Sequence, residues 1–188
     1  NLVGKHNILN LASVLIYAMS EGFSVAQLND AIRNLQMVKR RQEERGYYKE
    51  TLIIDDFAHH PRAVEVTVDA IKTKYPGKSI TVVVEPNSAT ARSAIFQNEF
   101  YESLKDAKRV IFTKPTRPTS VKDVGDLDIQ KIVDQVIASG RTGAVVGTRE
   151  ELLQEMEKTL GKDHLILVLS NGTCLGLWDS QFVNELKK

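Results

Sequence analysis

After Gly46 the chain changes rhythm, and short apolar runs begin to alternate with stretches of helical spacing. That alternation narrows the fold more than any other feature of the sequence. The runs at 51–54, 79–84, 109–113, 143–146 and 164–169 are short, apolar and partly β-branched, as buried strands are. Residues 47–50 are either a further strand or the start of the first. Between the runs, Val64, Val68 and Ile71 recur at helical spacing, as do Phe96, Phe100 and Leu104, then Ile129, Ile132, Val133, Val136 and Ile137, then Leu152, Met156 and Leu160. Pro61 suits a first helical turn, where its missing N–H is no loss, and Tyr75-Pro76-Gly77 ends that helix. Thr148 with Glu151 forms a capping-box pattern. Residues 116–125 predict a long surface loop dividing the sheet, and 175–186 predict a final helix. The fold expected is α/β, a Rossmann-like, doubly wound, mostly parallel sheet of about six strands.

The first forty residues follow a different pattern. Ile8, Leu11, Ala12, Leu15, Ile16 and Met19 keep helical spacing up to Gly22, a plausible helix terminator. Ser24 and Gln27 then form a capping box ahead of Val25, Leu28, Ile32 and Leu35. A helical pair over 1–40 preceding a sheet domain over 41–188 is the domain organisation this predicts. With Asn1 rather than Met at its start, the chain reads as a piece of a longer protein.

Composition excludes several classes. A formal net charge of +1 gives no overall pull toward nucleic acid or a membrane surface, and Lys39-Arg40-Arg41 is the one compact basic cluster. Neither nucleic acid nor membrane is expected as a partner. No apolar run approaches the roughly 20 residues of a membrane span. The single cysteine, Cys174, allows no intrachain disulfide and agrees with a reducing, cytoplasmic setting.

Chemistry concentrates where the run 51–54 meets Asp55-Asp56-Phe57-Ala58-His59-His60-Pro61. Ligands of parallel α/β sheets bind outside the carboxyl ends of the strands. Sorting those ends puts Asp55, Asp56, His59, His60, Glu85, Asn87, Lys114, Ser170 and Asn171 on one rim. The rim by itself fits a metal-dependent hydrolase built on Asp55, Asp56, His59 and His60, or a nucleotide- or protein-binding domain without catalysis. Too few further His and Cys residues are available to favour metal, so no metal ligands are assigned. Neither a Gly-x-x-x-x-Gly-Lys-Ser/Thr loop nor a Gly-x-Gly-x-x-Gly fingerprint occurs, so the chain holds at most half of a nucleotide site.

Three motifs in order, Gly4-Lys5-His6-Asn7-Ile8-Leu9-Asn10, Arg40-Arg41 and Asp55 to Pro61, resemble the C-terminal region of the Mur ligases, ATP-dependent amide ligases of peptidoglycan synthesis. The resemblance covers essentially the whole chain. With Glu85-Pro86-x-Ser88 and Ser170-Asn171-Gly172 it is most similar to the branch joining UDP-N-acetylmuramate to the tripeptide L-alanyl-γ-D-glutamyl-meso-diaminopimelate in recycling. The branch that adds L-alanine to UDP-N-acetylmuramate is the alternative, usually with Tyr-Gly where Phe57-Ala58 stand here.

The resemblance implies ATP and Mg²⁺ as cofactors, with the phosphate loop and most Mg²⁺ ligands on a central domain preceding this chain and the UDP-sugar on an N-terminal one. It places Asn7, Asn10, Arg41 and Asp56 at the ATP site. His59, His60, Asn87, Ser88, Arg92, Ser170 and Asn171 fall to the amino-acceptor side, and His59, His60 and Asp56 are the candidate catalytic residues. The chemistry implied is activation of a carboxylate as an acyl phosphate, followed by attack of the acceptor amine. Asp56 suits ribose hydroxyls, Arg41 suits phosphate, and an imidazole with an ordinary pKa near 6.5 suits the ammonium proton. The recycling branch usually has Arg where Asn87 stands and Gly-Gly-Phe-Gly-Gly where Gly172-Thr173-Cys174-Leu175-Gly176 stand. Either Arg92 supplies the carboxylate contact in its place, or the acceptor differs. On this reading the chain alone is inactive.

Overall fold

The computed structural model describes residues 4–35, 38–115 and 125–188. Two helices come first, as their periodicity predicts, and no strand falls within 8–19. Helix α1 (Lys5–Ser20) gives way to Gly22, whose φ of 92° is a conformation that other residues rarely adopt. Helix α2 (Val25–Arg33) starts at Ser24 with both halves of its capping box formed: the Gln27 N–H donates to Ser24 Oγ and the Ser24 N–H to Gln27 Oε1. Neither helix has a buried residue. Leu11, Leu15, Leu28 and Ile32 are half-buried, whereas Ile8, Ile16, Met19 and Val25 remain largely exposed.

The sheet begins with a hairpin. Strands β1 (Glu43–Tyr48) and β2 (Thr51–Asp56) pair antiparallel, so 47–54 divides between two strands. Lys49 and Glu50 join them with φ of 44° and 70°, the two left-handed residues of a type I′ turn. Strands β3 (Ser79–Glu85), β4 (Arg109–Thr113), β5 (Thr142–Val146) and β6 (His164–Ser170) complete a six-stranded sheet in the order β1-β2-β6-β3-β4-β5. All neighbours other than β1–β2 run parallel. The last strand in sequence is thus inserted between the second and third.

Alternation along the strands builds two cores. Ile54, Val82, Val84, Phe112 and Leu167 face α3 (Pro61–Lys74), α4 (Gln97–Ser103) and α5 (Ile129–Ala138). Ile53, Val83, Ile111, Ile166 and Val168 face α6 (Arg149–Glu157) and the C-terminal segment. Each of these fully buried side chains contributes roughly 1.5–3 kcal/mol by leaving water. Helix α3 begins at Pro61 as expected, and the Thr148–Glu151 capping box forms at the start of α6.

Three boundaries differ from the sequence expectation. Strands β2 and β6 run on into their polar ends, to Asp56 and Ser170, because a parallel neighbour continues alongside each: Asp56 pairs with Leu169 of β6, and Ser170 with Glu85 of β3. Helix α4 holds only Phe100 of its expected apolar trio; Phe96 lies in a preceding 3₁₀ turn and Leu104 is the C-cap. The helix expected over 175–186 is absent, replaced by two 3₁₀ turns, Leu177–Asp179 and Gln181–Glu185. Ser180 separates them: its Oγ donates to the Leu177 carbonyl and accepts from the Phe182 N–H, taking backbone groups a continuous helix would pair. The expected loop at 116–125 lies outside the described residues except for Gly125.

Candidate functional site

Because β2 continues through both aspartates, Asp55 and Asp56 point to opposite faces of the sheet. Asp55 follows Ile53 toward the α6 face, and Asp56 follows Ile54 toward the α3 face. The pair therefore shares no ligand, which removes the geometry of a metal centre built on both. Among the described residues no group of three or more His, Cys, Asp or Glu is placed to hold a metal ion.

On the α3 face, Asp56 ties two turns together: Oδ2 accepts the Gln42 N–H and Oδ1 the Ala58 N–H, each at 2.8 Å. Burial pushes its carboxyl pKa up, while those two amides and the charges of Arg41 and His6 pull the other way. His6 therefore sits within electrostatic reach of Asp56. Asn10 lies four residues on from His6 along α1, on the same helix face, and half-buried Asn7 lies beside it. The Arg41 guanidinium is 5.4 Å from the Phe57 ring centre, and Arg41 also borders a cleft of about 310 Å³ with Lys39, Gln42 and Lys74. The structure thus gathers Arg41, Asp56 and the start of α1 at the carboxyl end of β2.

The α6 face carries a row of buried polar groups at the ends of three adjacent strands, Asp55 on β2, Ser170 on β6 and Glu85 on β3. Ser170 pairs in register with Glu85, and its hydroxyl donates to Glu85 Oε2. The same oxygen accepts the Cys174 N–H at 3.2 Å, and the Gly172 N–H donates to Ser170 Oγ at 3.1 Å. These bonds hold a loop in which Cys174, Leu175 and Gly176 are successively left-handed, with φ of 51°, 57° and 75°. Burial pushes the Cys174 thiol up, with Glu85 and Asp55 adding to the rise.

Asp55 is fully buried and neither of its oxygens accepts a hydrogen bond. It is held by two guanidiniums, Arg40 Nε at 3.4 Å and Arg45 Nη1 at 3.7 Å from Oδ2. Burial pushes its carboxyl up to about 6, against the pull of Arg40 and Arg45. Arg45 in turn stacks 4.6 Å over Trp178.

The acceptor-side candidates are dispersed around these two centres. His59 Nδ1 lies 2.8 Å from the Phe57 carbonyl, and His60 packs edge-on against Phe96 at 4.6 Å in a cleft of about 190 Å³ bordered by Glu65, Glu99 and Glu102. The two imidazoles thus face different surroundings. Ser88 Oγ accepts the Ala91 N–H at 3.1 Å and starts the turn that carries buried Arg92. Asn87 is buried beside Gly172, with Oδ1 unbonded, and Asn171 is half-buried with Oδ1 likewise unbonded. The supporting parts played by Arg40, Glu85 and Gly172 were not assigned from sequence. Glu85 was placed on the rim, but only the insertion of β6 beside β3 pairs it with Ser170. Nothing in the spacing of Arg40 signals its reach to that loop.

The family described as Mur ligase, glutamate ligase domain, matches this chain over residues 40–172. UDP-N-acetylmuramate–L-alanine ligase of Lactococcus lactis is 37% identical over 133 residues, 71% of this chain and 30% of that protein. The crystal structure of a murein peptide ligase from Psychrobacter arcticus superposes with a TM-score of 0.72 at 25% identity, covering 98% of this chain and 38% of that one. UDP-N-acetylmuramate-alanine ligase of Thermotoga maritima has the same fold, with a TM-score of 0.71 at 22% identity over 98% of this chain and 38% of that one. The chain therefore spans about a third of the length of the relatives it matches.

Proposed function

Because the chain belongs to the Mur ligase family, with its glutamate ligase domain at residues 40–172, we propose that it is the C-terminal part of an ATP-dependent ligase joining UDP-N-acetylmuramate to L-alanyl-γ-D-glutamyl-meso-diaminopimelate. The step belongs to peptidoglycan recycling in the bacterial cytoplasm. The observation that carries this reading is the grouping of Asp56, Arg41 and His6 at the carboxyl end of β2, with Asn7 and Asn10 alongside. In it, residues 1–40 are the tail of the central ATPase domain, and the exposed Ile8, Ile16 and Met19 of α1 meet the rest of that domain. The relatives' greater length is consistent with such a partner.

ATP, when bound, supplies the phosphoryl group that activates the muramate carboxylate. The residues present suit its nucleoside and phosphates: buried Asp56 has lone pairs left after its two amide bonds for ribose hydroxyls, and exposed Arg41 offers a guanidinium to phosphate. Among the described residues no group of three or more His, Cys, Asp or Glu is placed to hold a metal ion, and in this reading the central domain holds most of the Mg²⁺ ligands. His60, in its acidic cleft, and His59 are the bases available for the acceptor's ammonium proton. Asn87, Ser88, Arg92, Ser170 and Asn171 hold the peptide, with Arg92 as the carboxylate contact.

Addition of L-alanine to UDP-N-acetylmuramate is the second reading, favoured by the 37% identical relative of that activity. One competition separates the two. The full-length protein is given ATP, Mg²⁺, UDP-N-acetylmuramate and equal L-alanine and tripeptide, and products are identified by mass. The tripeptide adduct is expected; an alanine adduct moves the assignment to the second reading, and neither product removes the ligase reading.

A further inference from the structure

We propose that Asp55 is a positioning residue of the ligase, whose carboxylate holds Arg40 as a clasp between the nucleotide-side turn and the Ser170–Gly176 loop. The inference rests on the ligase reading for its effect on turnover, and on geometry for the clasp itself. Arg40 makes four connections. Its carbonyl accepts the Phe57 N–H at 2.9 Å, its own N–H donates to Glu43 Oε2 at 2.8 Å, Nη2 donates to the Ser170 carbonyl at 2.5 Å, and Nε pairs with Asp55 at 3.4 Å. Its guanidinium also lies 5.3 Å from the Phe57 ring, which Arg41 shares at 5.4 Å. Arg40 makes these contacts with a left-handed φ of 57°, a conformation uncommon outside glycine.

Asp55 anchors the Arg40 guanidinium from the opposite face of the strand that carries Asp56. Guanidiniums of Arg40 and Arg45 face it, Glu43 and Asp56 add negative charge nearby, and Cys174 packs within its field beside Glu85. Its placement opposes stability. The ordinary value of 3.8 rises to about 6 in the fold, so the group favours the folded state below about pH 4 and this contribution is lost as pH rises through about 6. At neutral pH a buried carboxylate without hydrogen bonds is a cost to folding, offset here by the guanidiniums of Arg40 and Arg45.

The test uses Asp55→Asn and Arg40→Lys, the latter keeping charge but losing the fork that reaches both Asp55 and Ser170. In this chain at pH 8, Asp55→Asn should be no less stable to urea than the parent while the amides of Phe57 and Gly172 exchange faster. In the full-length ligase each variant should lower turnover by roughly 10- to 100-fold, the scale of a displacement of about 1 Å. The double variant should lose no more than either single one. Wild-type turnover should fall more steeply below about pH 6 than that of Asp55→Asn, which keeps only the limb of the histidine base. Unchanged Phe57 and Gly172 exchange in Asp55→Asn overturns the clasp. So does turnover kept within twofold, or losses that multiply. A wild-type protein that makes no amide bond would remove the ligase reading, leaving amide exchange to decide the clasp.

Discussion

A methyl group on Gly172 would stand 2.7 Å from Glu85 Oε2 and 2.8 Å from Asn87 Nδ2, nearer than side chains ordinarily come. Both neighbours are buried, and Glu85 is fixed by Ser170 and Cys174, so neither can yield freely. Gly172→Ala should therefore lower stability by about 1–3 kcal/mol, read as a lower urea midpoint; an unchanged midpoint would mean the loop has slack. At this scale the sequence was partly legible. It showed two adjacent aspartates at a strand's end, yet which way each points depends on where the strand stops. Pairing of β2 with β6 out to Asp56 is a tertiary matter. Arg40 was legible only as half of an Arg-Arg pair, since its partners lie 15 and 130 positions away.

Helices and strands were read more reliably than residues, because hydrophobic spacing and caps are local. The capping boxes at Ser24–Gln27 and Thr148–Glu151 both form, and α3 runs from Pro61 as its proline predicts. The C-terminal segment failed where local chemistry competed with periodicity: Ser180 turns the chain with its own hydroxyl, a choice apolar spacing does not register. The β1–β2 hairpin gives a test at this scale. Its turn residue Glu50 is left-handed at φ 70°, and its ion pair with Lys162 is exposed and worth little. Glu50→Gly should raise stability by about 0.5–1 kcal/mol, since glycine meets no steric penalty there. A lower melting temperature would show that the pair or the chain's stiffness outweighs the strain.

At the scale of the whole molecule, the insertion of β6 between β2 and β3 is what assembles the polar rim. It brings Asp55, Ser170 and Glu85 into one buried row and leaves Asp56 with Arg41 on the other face. The alternating pattern predicted the sheet, but not that order, which no local signal encodes. We expect this chain by itself to hydrolyse no ATP and form no amide, because it offers Asp56 and Arg41 without a phosphate cradle. ATP turnover that follows this polypeptide through purification would contradict that. The central claim is that the nucleotide lies at the carboxyl end of β2, on the Asp56 face. It is tested most directly by steady-state kinetics of the full-length protein with ATP and amino acceptor varied in turn, comparing Asp56→Ala and Arg41→Ala with Arg92→Ala and His60→Ala. Loss of one charged partner in a desolvated site amounts to about 2–5 kcal/mol, or roughly 30-fold to several thousand-fold in kcat/KM. The account predicts that loss in ATP use for the first two variants and in acceptor use for the last two. If Asp56→Ala leaves kcat and the KM for ATP unchanged while weakening only the acceptor, the nucleotide does not bind where this account puts it.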